Sequence, residues 1–432
     1  MASFFIQNFG CRASQADGAA IESLLKGNGL HGASDPGSSD VVILNTCTVT
    51  SAADEDLRHA VRRVHRENPS ARIVVTGCYA QRAPDEIASL PGVSLVVGNS
   101  HKSQIATLLG DSTAPFHGEI HVGDIFAQQE FLASPVSEAG ADRSRPNLKI
   151  QDGCNNRCSF CVIPFVRGRS RSAPANQVVE QIRELSTRYS EVVLTGINLG
   201  RWGREPGSQF RLVHLLRRVL NETAIQRIRL SSIEPMDFSD DLLSLMSDEP
   251  RIARHVHAPL QSGSDTVLRR MHRKYRPRHY EDRVMKAREW LPDAAIGADV
   301  MVGFPGETEA EFQETIDFVE RLPFTYLHVF PYSERPGTPA AARDDQVRVE
   351  VRKERGRILK QVGIRKNLEF RRRMLDRTIS AAVLEKGDTA MTTNYITVKL
   401  AAPRPARTVG DVTIGGLTPT GLSEAGALPV FD

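Results

Sequence analysis

The sequence predicts an α/β protein with three folded parts: a small N-terminal parallel α/β domain, a central (βα)6 partial TIM-like barrel and a small C-terminal β-barrel. Three observations predict this class. Apolar runs alternate with amphipathic stretches before residue 110, the same alternation resumes at residue 147, and the chain from residue 378 consists of short strand-like runs separated by Gly and Pro. We place the parts at 1–110, a linker at 111–146, the barrel at 147–340, a basic helical connector at 341–377, and the C-terminal barrel at 378–432.

Composition narrows the class of protein. The chain has 432 residues, 40% of them hydrophobic and 25% charged, which excludes wholesale disorder. No apolar run reaches the roughly 18–20 residues that span a bilayer, and the start MASFFIQNFG lacks the pattern of a signal peptide. We therefore expect a cytoplasmic protein with no membrane partner. The 6 cysteines are too few for a disulfide scaffold.

In the first domain, each of three isolated cysteines follows a predicted strand. Cys11 follows SFFIQNF, Cys47 follows DVVILNT and Cys78 follows ARIVVTG. Because the carboxyl ends of parallel strands share one edge of a sheet, we expect these three cysteines to converge there. The fourth strand is VSLVVG, and the predicted helices are 13–27, 51–67, 84–90 and 101–109.

Residues 111–146 show no clear period, so we interpret them as a linker that could contain one hairpin. The second series of strands and helices should close into a partial or full parallel barrel whose site lies at the carboxyl ends of the strands. Its strands are NLKIQ, EVVLTG, QRIRLSS, HVHAPL, AAIGADVMVG and FTYLHVF, and its helices lie near 174–188, 209–220, 239–247, 264–288 and 308–321.

The C-terminal part begins with a charged helix at about 346–373. Residues 343–377 hold 13 Lys and Arg against 6 Asp and Glu, a local charge of +7 that the net charge of +3 conceals. The strands TISAAVLE, NYITVKL and VGDVTIGGL follow and predict a small β-barrel.

The octapeptide CNNRCSFC follows the first strand of the central barrel and contains Cys154, Cys158 and Cys161. Three thiolates at this spacing can hold three corners of a [4Fe–4S] cluster and leave the fourth iron open. A zinc site and a disulfide are the alternatives, but a structural zinc usually has four protein ligands and no second Cys pair follows in the barrel. We expect His255 and His257 to be strand residues rather than ligands.

Cys-x3-Cys-x2-Cys, with Phe160 before the last cysteine, resembles the signature of the radical S-adenosylmethionine superfamily. The strings NFGC, NTCTVT and TGCYAQR resemble the cysteine motifs of its methylthiotransferase family, apart from Ser14, where the family usually has Asn. The resemblance implies two [4Fe–4S] clusters and S-adenosylmethionine as cofactors. It assigns the radical-generating cluster to the catalytic cysteines Cys154, Cys158 and Cys161, and a second, sulfur-handling cluster to Cys11, Cys47 and Cys78.

Several barrel strings resemble the branch that acts on N6-threonylcarbamoyladenosine in tRNA, at position 37 of the anticodon stem-loop. They include QDGCNNRCSFCVIPFVRGRSRS, RIRLSSIEP, ADVMVGFPGETEAEF and FPYSERPGTPAA, and the tail resembles the family's RNA-binding TRAM barrel. The resemblance implies tRNA, an electron donor and a sulfur donor as partners. Methylthio transfer to N6-isopentenyladenosine or to a ribosomal-protein aspartate remains an alternative, as does an RNA-binding protein with structural metal sites.

The resemblance also implies a binding site for S-adenosylmethionine at the strand ends of the barrel. Thr195 and Gly196 would meet the methionine end, and the carboxylate of Glu234 could accept from ribose hydroxyls. For Gly303, a purely structural role in the turn before a Thr308/Glu311 capping box is as well supported as a role in binding the cofactor. The cofactor-binding candidates are Phe160, Thr195, Gly196, Ser232, Glu234, Gln261, Ser262 and Gly303.

Basic residues supply candidates for substrate and RNA contacts. Arginines that follow the cysteine loop could bind a substrate carboxylate or an RNA phosphate, and the run 269–278 holds six cations and no acid. Tyrosines near these runs could stack on bases. The candidates are Arg167, Arg169, Arg171, Arg273 and Lys274, with Tyr275, Tyr280 and Tyr395 as stacking residues.

Overall fold

The computed structural model describes residues 2–110, 118–128, 131 and 144–427. Its N-terminal domain is a 6-stranded parallel sheet in the order β2-β1-β3-β4-β5-β6. Neighbouring residues of β3 face different cores: Val41 and Ile43 pack under one layer of helices, Val42 and Leu44 under the other. The strands are β1 Ser3–Asn8, β2 His31–Gly32, β3 Val41–Thr46, β4 Arg72–Gly77, β5 Val93–Gly98 and β6 Glu119–His121.

The helix bounds in this domain can be compared with the predicted ones. The helix predicted over 51–67 is Ser51–Glu67, and Thr50 caps it by accepting a hydrogen bond from the Ala53 amide at 3.3 Å. Short 3-10 turns occupy Pro36–Ser38 and Lys102–Gln104. The helices are α1 Arg12–Gly27, α2 Ser51–Glu67, α3 Cys78–Arg82, α4 Pro84–Ala88 and α5 Ile105–Gly110.

One part of the predicted linker belongs to this sheet. Strand β6 lies inside 111–146 and pairs in parallel with β5, with Val96 opposite Ile120. A three-residue edge strand offers too little periodicity to be recognised in a sequence. The described residues of this segment contain no hairpin, and the remainder of the predicted linker lies outside the described residues.

The central part is an open α/β barrel whose strands pair in parallel, except for the two-residue strand β8, which pairs antiparallel with β7. One sheet has the order β10-β9-β7-β8 and the other the order β11-β12-β13, and a bridge from Ile228 to Ile252 connects them. Its strands are β7 Asn147–Asp152, β8 Arg171–Ser172, β9 Glu191–Gly196, β10 Arg227–Leu230, β11 His255–His257, β12 Ala295–Val302 and β13 Tyr326–Pro331.

The barrel helices cover its convex side. The single helix predicted over 264–288 is two helices, because Pro277 starts a new one and His272 between them has a φ of 56°. The helices are α6 Ile163–Arg167, α7 Ala175–Ser186, α8 Leu212–Glu222, α9 Asp240–Asp248, α10 Asp265–Arg270, α11 Pro277–Trp290 and α12 Glu309–Arg321, with 3-10 turns at Leu199–Arg201 and Pro235–Asp237.

Helix α13, Val349–Arg372, packs along β13 and leads into a closed barrel of order β14-β15-β16-β18-β17. Phe370 from α13 and Ala295 from β12 contribute to the core of this barrel. The α/β class with a closed C-terminal β-barrel is therefore confirmed. Over the described residues, no helix combines the length and apolar character that crossing a bilayer requires. The strands are β14 Thr378–Val383, β15 Thr389–Thr392, β16 Thr397–Lys399, β17 Val409–Leu417 and β18 Leu422–Glu424.

Candidate active site

The three isolated cysteines meet at the carboxyl edge of the N-terminal sheet. Cys11 is the N-cap of α1, Cys47 follows β3, and Cys78 is the first residue of α3. Gly10 has a φ of +94°, and a Cβ built there would lie 2.3 Å from the Cys47 Cβ. Only glycine allows this backbone to approach Cys47 so closely, so the chain around Cys11 is shaped to gather the cysteines.

The second triplet lies on the loop between β7 and α6. The Cys154 amide donates to the Gly168 carbonyl at 3.1 Å, and the Cys161 amide donates to the Cys158 carbonyl at 3.1 Å. These bonds fold the loop into a compact turn. The Phe160 ring packs edge-on against Phe304, with ring centroids 6.4 Å apart, and so anchors the loop to the barrel.

All six cysteines are free of disulfides, so both triplets keep their thiols for metal ligation. A further group of possible metal ligands consists of His257, Asp299 and His328, whose ligand atoms all lie within 4.8 Å of one another.

Burial determines the ionisation of the cysteines. Burial raises the pKa of the Cys47 thiol to about 12, and the neighbouring Cys78 and Cys11 add to the rise. Burial, followed by the proximity of Cys158, raises the pKa of Cys161 to about 12. Thiols of this kind ionise when a metal centre takes the thiolate. The donor set therefore fits iron–sulfur clusters.

Helix α6, which follows the second triplet, packs against the first triplet at the interface between the N-terminal domain and the barrel. The Asn99 side chain donates to the Val166 carbonyl of α6 at 2.7 Å and lies 3.6 Å from the Cys78 sulfur. The Arg167 guanidinium, which ends α6, donates to the same sulfur at 3.2 Å. The helix that follows the second triplet therefore touches a cysteine of the first.

The concave side of the barrel carries a polar cluster that the sequence did not reveal, formed by His255, His257, Asp299, Tyr326 and His328. The Tyr326 hydroxyl lies 2.7 Å from His255 Nε2 and 3.0 Å from His257 Nδ1. Asp299 Oδ1 lies 3.1 Å from His257 Nε2 and 3.2 Å from His328 Nδ1. His255 and His257 share one face because they are two residues apart on β11, while Val256 between them packs into the core.

The polar cluster also connects to the N-terminal domain. Tyr395 from the C-terminal barrel stacks on His255, with ring centroids 4.3 Å apart. Arg12, the neighbour of Cys11, donates to the Tyr395 hydroxyl at 2.9 Å. All three parts of the chain therefore contribute to one polar surface beside the cysteines.

Comparison with known proteins identifies this arrangement. Residues 3–98 match the model of the uncharacterized protein family UPF0004, and residues 148–319 match the model of the radical SAM superfamily. A protein of Aquifex aeolicus, named threonylcarbamoyladenosine tRNA methylthiotransferase MtaB, is 39% identical over 394 residues that cover 91% of this chain and 95% of that protein. The chain belongs to the radical S-adenosylmethionine methylthiotransferase family.

Other methylthiotransferases cover most of the chain as well. A Bacillus subtilis protein with the same name is 41% identical over 82% of this chain and 79% of its own. A Thermobifida fusca protein named tRNA-2-methylthio-N(6)-dimethylallyladenosine synthase is 34% identical over 89% of this chain and 78% of its own. The structure of a radical S-adenosylmethionine methyltransferase, TsrM of Kitasatospora setae, has a TM-score of 0.55 at 16% identity and covers 79% of this chain and 74% of that one, so it shares the fold.

Membership confirms the predicted enzyme class and its cofactors, S-adenosylmethionine and two [4Fe–4S] clusters. The site of this methylthiotransferase contains a buried polar atom that suits S-adenosylmethionine as a ligand. Gln261 has a φ of 66°, and its Oε1 is buried without a hydrogen-bond partner in the described structure. An orphaned acceptor at a strand end is a position that a ligand satisfies.

Two of the predicted cofactor residues, Ser262 and Gly303, make hydrogen bonds within the protein. Ser262 is buried, and its hydroxyl lies 3.1 Å from that of Thr315. The Gly303 amide donates to the Glu307 carboxylate at 2.7 Å, and the predicted Thr308/Glu311 capping box is present. Thr195 is buried, while Gly196, Ser232, Glu234 and Phe160 are partly buried at the same carboxyl edge of the barrel.

Burial corrects two of the predicted substrate and RNA residues, Arg167 and Arg273. Arg167 is 1% exposed and paired internally, so it is not available to a substrate carboxylate. Arg273 is buried against Glu234, and its guanidinium donates to the Cys158 sulfur at 3.3 Å. Arg171 donates to two backbone carbonyls, Arg169 is exposed, and Lys274 lines a cavity of about 160 Å³ beside the cysteine loop.

Two of the predicted stacking tyrosines also have partners inside the protein. Tyr275 and Tyr280 are buried, and their hydroxyls donate to backbone carbonyls of the segment after β11. Their apolar rings contribute to the core, which sequence spacing could not distinguish from a surface. Part of the basic connector is used internally too. Its buried cations are Arg352, Arg355, Lys366 and Arg371, and Lys353, Lys360, Arg372 and Arg373 remain exposed.

Proposed function

We propose that this methylthiotransferase converts N6-threonylcarbamoyladenosine at position 37 of tRNA into its 2-methylthio derivative. The observation that carries the proposal is the contact between Cys78 of the first triplet and the helix that directly follows the second triplet, through Asn99 and Arg167 at the Cys78 sulfur. A reaction that activates a carbon and then adds sulfur to it needs both centres within reach of one substrate atom.

Cys154, Cys158 and Cys161 would hold the cluster that binds S-adenosylmethionine, and Cys11, Cys47 and Cys78 the auxiliary cluster. When bound, these groups supply a 5′-deoxyadenosyl radical for removal of the C2 hydrogen and the sulfur and methyl group of the product. The chain itself positions the reactants and excludes water. Gln261 offers a buried acceptor to S-adenosylmethionine, and the Glu234–Arg273 pair fixes the wall beside Cys158.

The polar cluster supports the threonylcarbamoyl substituent over a dimethylallyl one. A dimethylallyl group is a hydrocarbon and prefers an apolar pocket, whereas a threonylcarbamoyl group carries a carboxylate and a hydroxyl. The His328 side chain is 56% exposed on the concave side of the barrel, and its Nδ1 faces Asp299. This exposed imidazole would offer a polar contact to the carboxylate or hydroxyl of the substituent.

The remaining partners follow from the same assignment. The exposed cations of α13, among them Lys353 and Lys360, and the C-terminal barrel would contact the anticodon stem-loop through its phosphates. An external electron donor and a sulfur donor would complete the reaction. A tRNA-modifying enzyme of this kind would work in the cytoplasm.

Nucleoside mass spectrometry of tRNA from cells that lack the chain tests the proposal. We expect 2-methylthio-N6-threonylcarbamoyladenosine to disappear and N6-threonylcarbamoyladenosine to accumulate, with rescue by the wild-type gene. Rescue should fail with Cys47→Ala and with Cys158→Ala. Loss of the methylthio-dimethylallyl nucleoside instead would assign the other tRNA branch, and unchanged tRNA would favour the ribosomal-protein aspartate.

A further inference from the structure

Arg167 occupies an unusual position for an arginine. Its side chain is 1% exposed, and its guanidinium uses three separate nitrogens. Nε donates to the Cys78 sulfur at 3.2 Å, one terminal nitrogen donates to Asp152 of the barrel at 3.0 Å, and the other donates to Asp17 of the N-terminal domain at 2.9 Å. One side chain therefore connects a cysteine to carboxylates from two domains.

The charges around Arg167 do not balance without an anion at Cys78. Asp17 also accepts from Lys102 at 2.9 Å and from Lys149, and Asp152 accepts from Lys149 at 2.9 Å. Two carboxylates thus face three buried cations, with Arg171 at 3.7 Å from Asp152 as a fourth and more exposed one. A buried cation without a counter-charge is costly, so this excess of positive charge suits an anionic cluster bound at Cys78.

The arginine at the other triplet has a different balance. Arg273 donates to the Cys158 sulfur at 3.3 Å and lies over the Tyr275 ring at 4.9 Å. Its ion-pair partner is Glu234, so this pair of side chains is neutral as a whole. Each triplet has an arginine at one sulfur, but only the network around Cys78 has an excess of positive charge.

We propose that Arg167 is a positioning residue that raises the reduction potential of the auxiliary cluster held by Cys11, Cys47 and Cys78. Reduction adds one electron to the cluster and makes it more negative. A charged N–H donor on a ligand sulfur, next to a surplus of positive charge, stabilises the reduced form more than the oxidised form. The same guanidinium holds the N-terminal domain against the barrel through Asp17 and Asp152.

The proposal rests on the family's two clusters and not on the tRNA substrate. A wrong nucleoside assignment would leave the cluster potential unchanged, so the two proposals fail independently. The test uses the full-length chain with the radical-cluster cysteines Cys154, Cys158 and Cys161 replaced by alanine, so that a single cluster reports. That chain is titrated with dithionite and followed by electron paramagnetic resonance.

Three variants in this background give different expected shifts. Arg167→Gln should lower the midpoint potential, and Arg167→Lys should lower it less because the charge is kept. Asp17→Asn removes a neighbouring negative charge and should raise the potential. Arg169→Gln is the matched control, since Arg169 is exposed two residues away, and its potential should equal that of the parent chain. A merely structural role would not produce shifts of opposite sign.

A spectroscopic readout covers the case in which Arg167→Gln or Asp17→Asn does not fold. With the chain labelled by ¹⁵N-arginine, the reduced auxiliary cluster should show a ¹⁵N hyperfine coupling that disappears in Arg167→Lys. An unchanged potential in a cluster-loaded Arg167→Gln chain would overturn the proposal. A ¹⁵N coupling that persists in Arg167→Lys would overturn it as well.

Discussion

Glu191 is a buried carboxylate near the interface between the two barrels. It starts β9, is fully buried, and faces three arginines. Arg229 donates to both of its oxygens at 2.8 and 3.3 Å, Arg145 donates at 3.2 Å, and Arg227 lies 3.7 Å away. Arg229 also donates to the Thr392 carbonyl of the C-terminal barrel at 3.0 Å. We predict that Glu191→Gln loosens the attachment of that barrel.

The magnitude follows from the pKa of this carboxyl. Although burial opposes ionisation, Arg229 and Arg145 lower the pKa of Glu191 to about 2, from 4.5 for a free glutamate. A shift of roughly 2.5 units corresponds to about 3 kcal/mol of stability at neutral pH, which agrees with the roughly 3–5 kcal/mol lost when a buried pair loses one partner. Because the folded pKa is depressed, this stability is present above about pH 4.5 and is lost as the pH falls through about 2.

Urea unfolding at pH 7, monitored by circular dichroism, should show the loss in Glu191→Gln, and hydrogen exchange should increase in strands β15 and β16. The difference from the wild type should shrink below about pH 4.5, where the Glu191 carboxyl of the unfolded chain begins to take up a proton, and should be lost near pH 2. Glu222→Gln is the matched control, because its ion pair with Arg218 lies on the surface and should contribute nothing measurable. Equal stability of Glu191→Gln and wild type at pH 7 would refute the reasoning.

Three further substitutions test separate parts of the account. Gly10→Ala should place a Cβ 2.3 Å from the Cys47 Cβ and so abolish the auxiliary cluster. The iron content should then fall by about half while 5′-deoxyadenosine formation continues. Full iron content would contradict this. Thr308→Ala should lower the free energy of unfolding by about 1 kcal/mol, because its hydroxyl accepts from the Glu311 amide at 3.3 Å; an unchanged urea midpoint would contradict the cap. His328→Leu should lower kcat/KM for threonylcarbamoyl-tRNA about tenfold without a change in Tm, since one hydrogen bond to the substrate is lost. Unchanged kinetics would exclude His328 from the substrate pocket.

Features with a local signature were predictable from the sequence. The convergence of Cys11, Cys47 and Cys78 followed from their places at the ends of parallel strands. The helix Ser51–Glu67 and the Thr308/Glu311 capping box followed from periodicity and capping chemistry. For the helix and the capping box, the residues that determine the structure lie within a few positions of one another, and each isolated cysteine lies within a few positions of the strand that places it.

Features that depend on long-range packing were not predictable. Arg167 and Arg273 were expected at a substrate or RNA surface, but their partners Asp17 and Glu234 lie far away in the sequence. A guanidinium in a basic loop has the same sequence signature whether it faces solvent or a buried carboxylate. The polar cluster was missed for a related reason: its residues come from three strands, and only the fold brings them to one concave face.

The central claim is that one chain uses two cysteine triplets for different steps on threonylcarbamoyladenosine. The most direct measurement is a single assay of reconstituted enzyme with tRNA that carries this nucleoside, in which 5′-deoxyadenosine and the methylthio product are both quantified. We predict that Cys158→Ala abolishes both products, whereas Cys47→Ala abolishes the methylthio product and retains 5′-deoxyadenosine. Methylthio product from Cys47→Ala, or wild-type activity only on dimethylallyladenosine tRNA, would contradict the account.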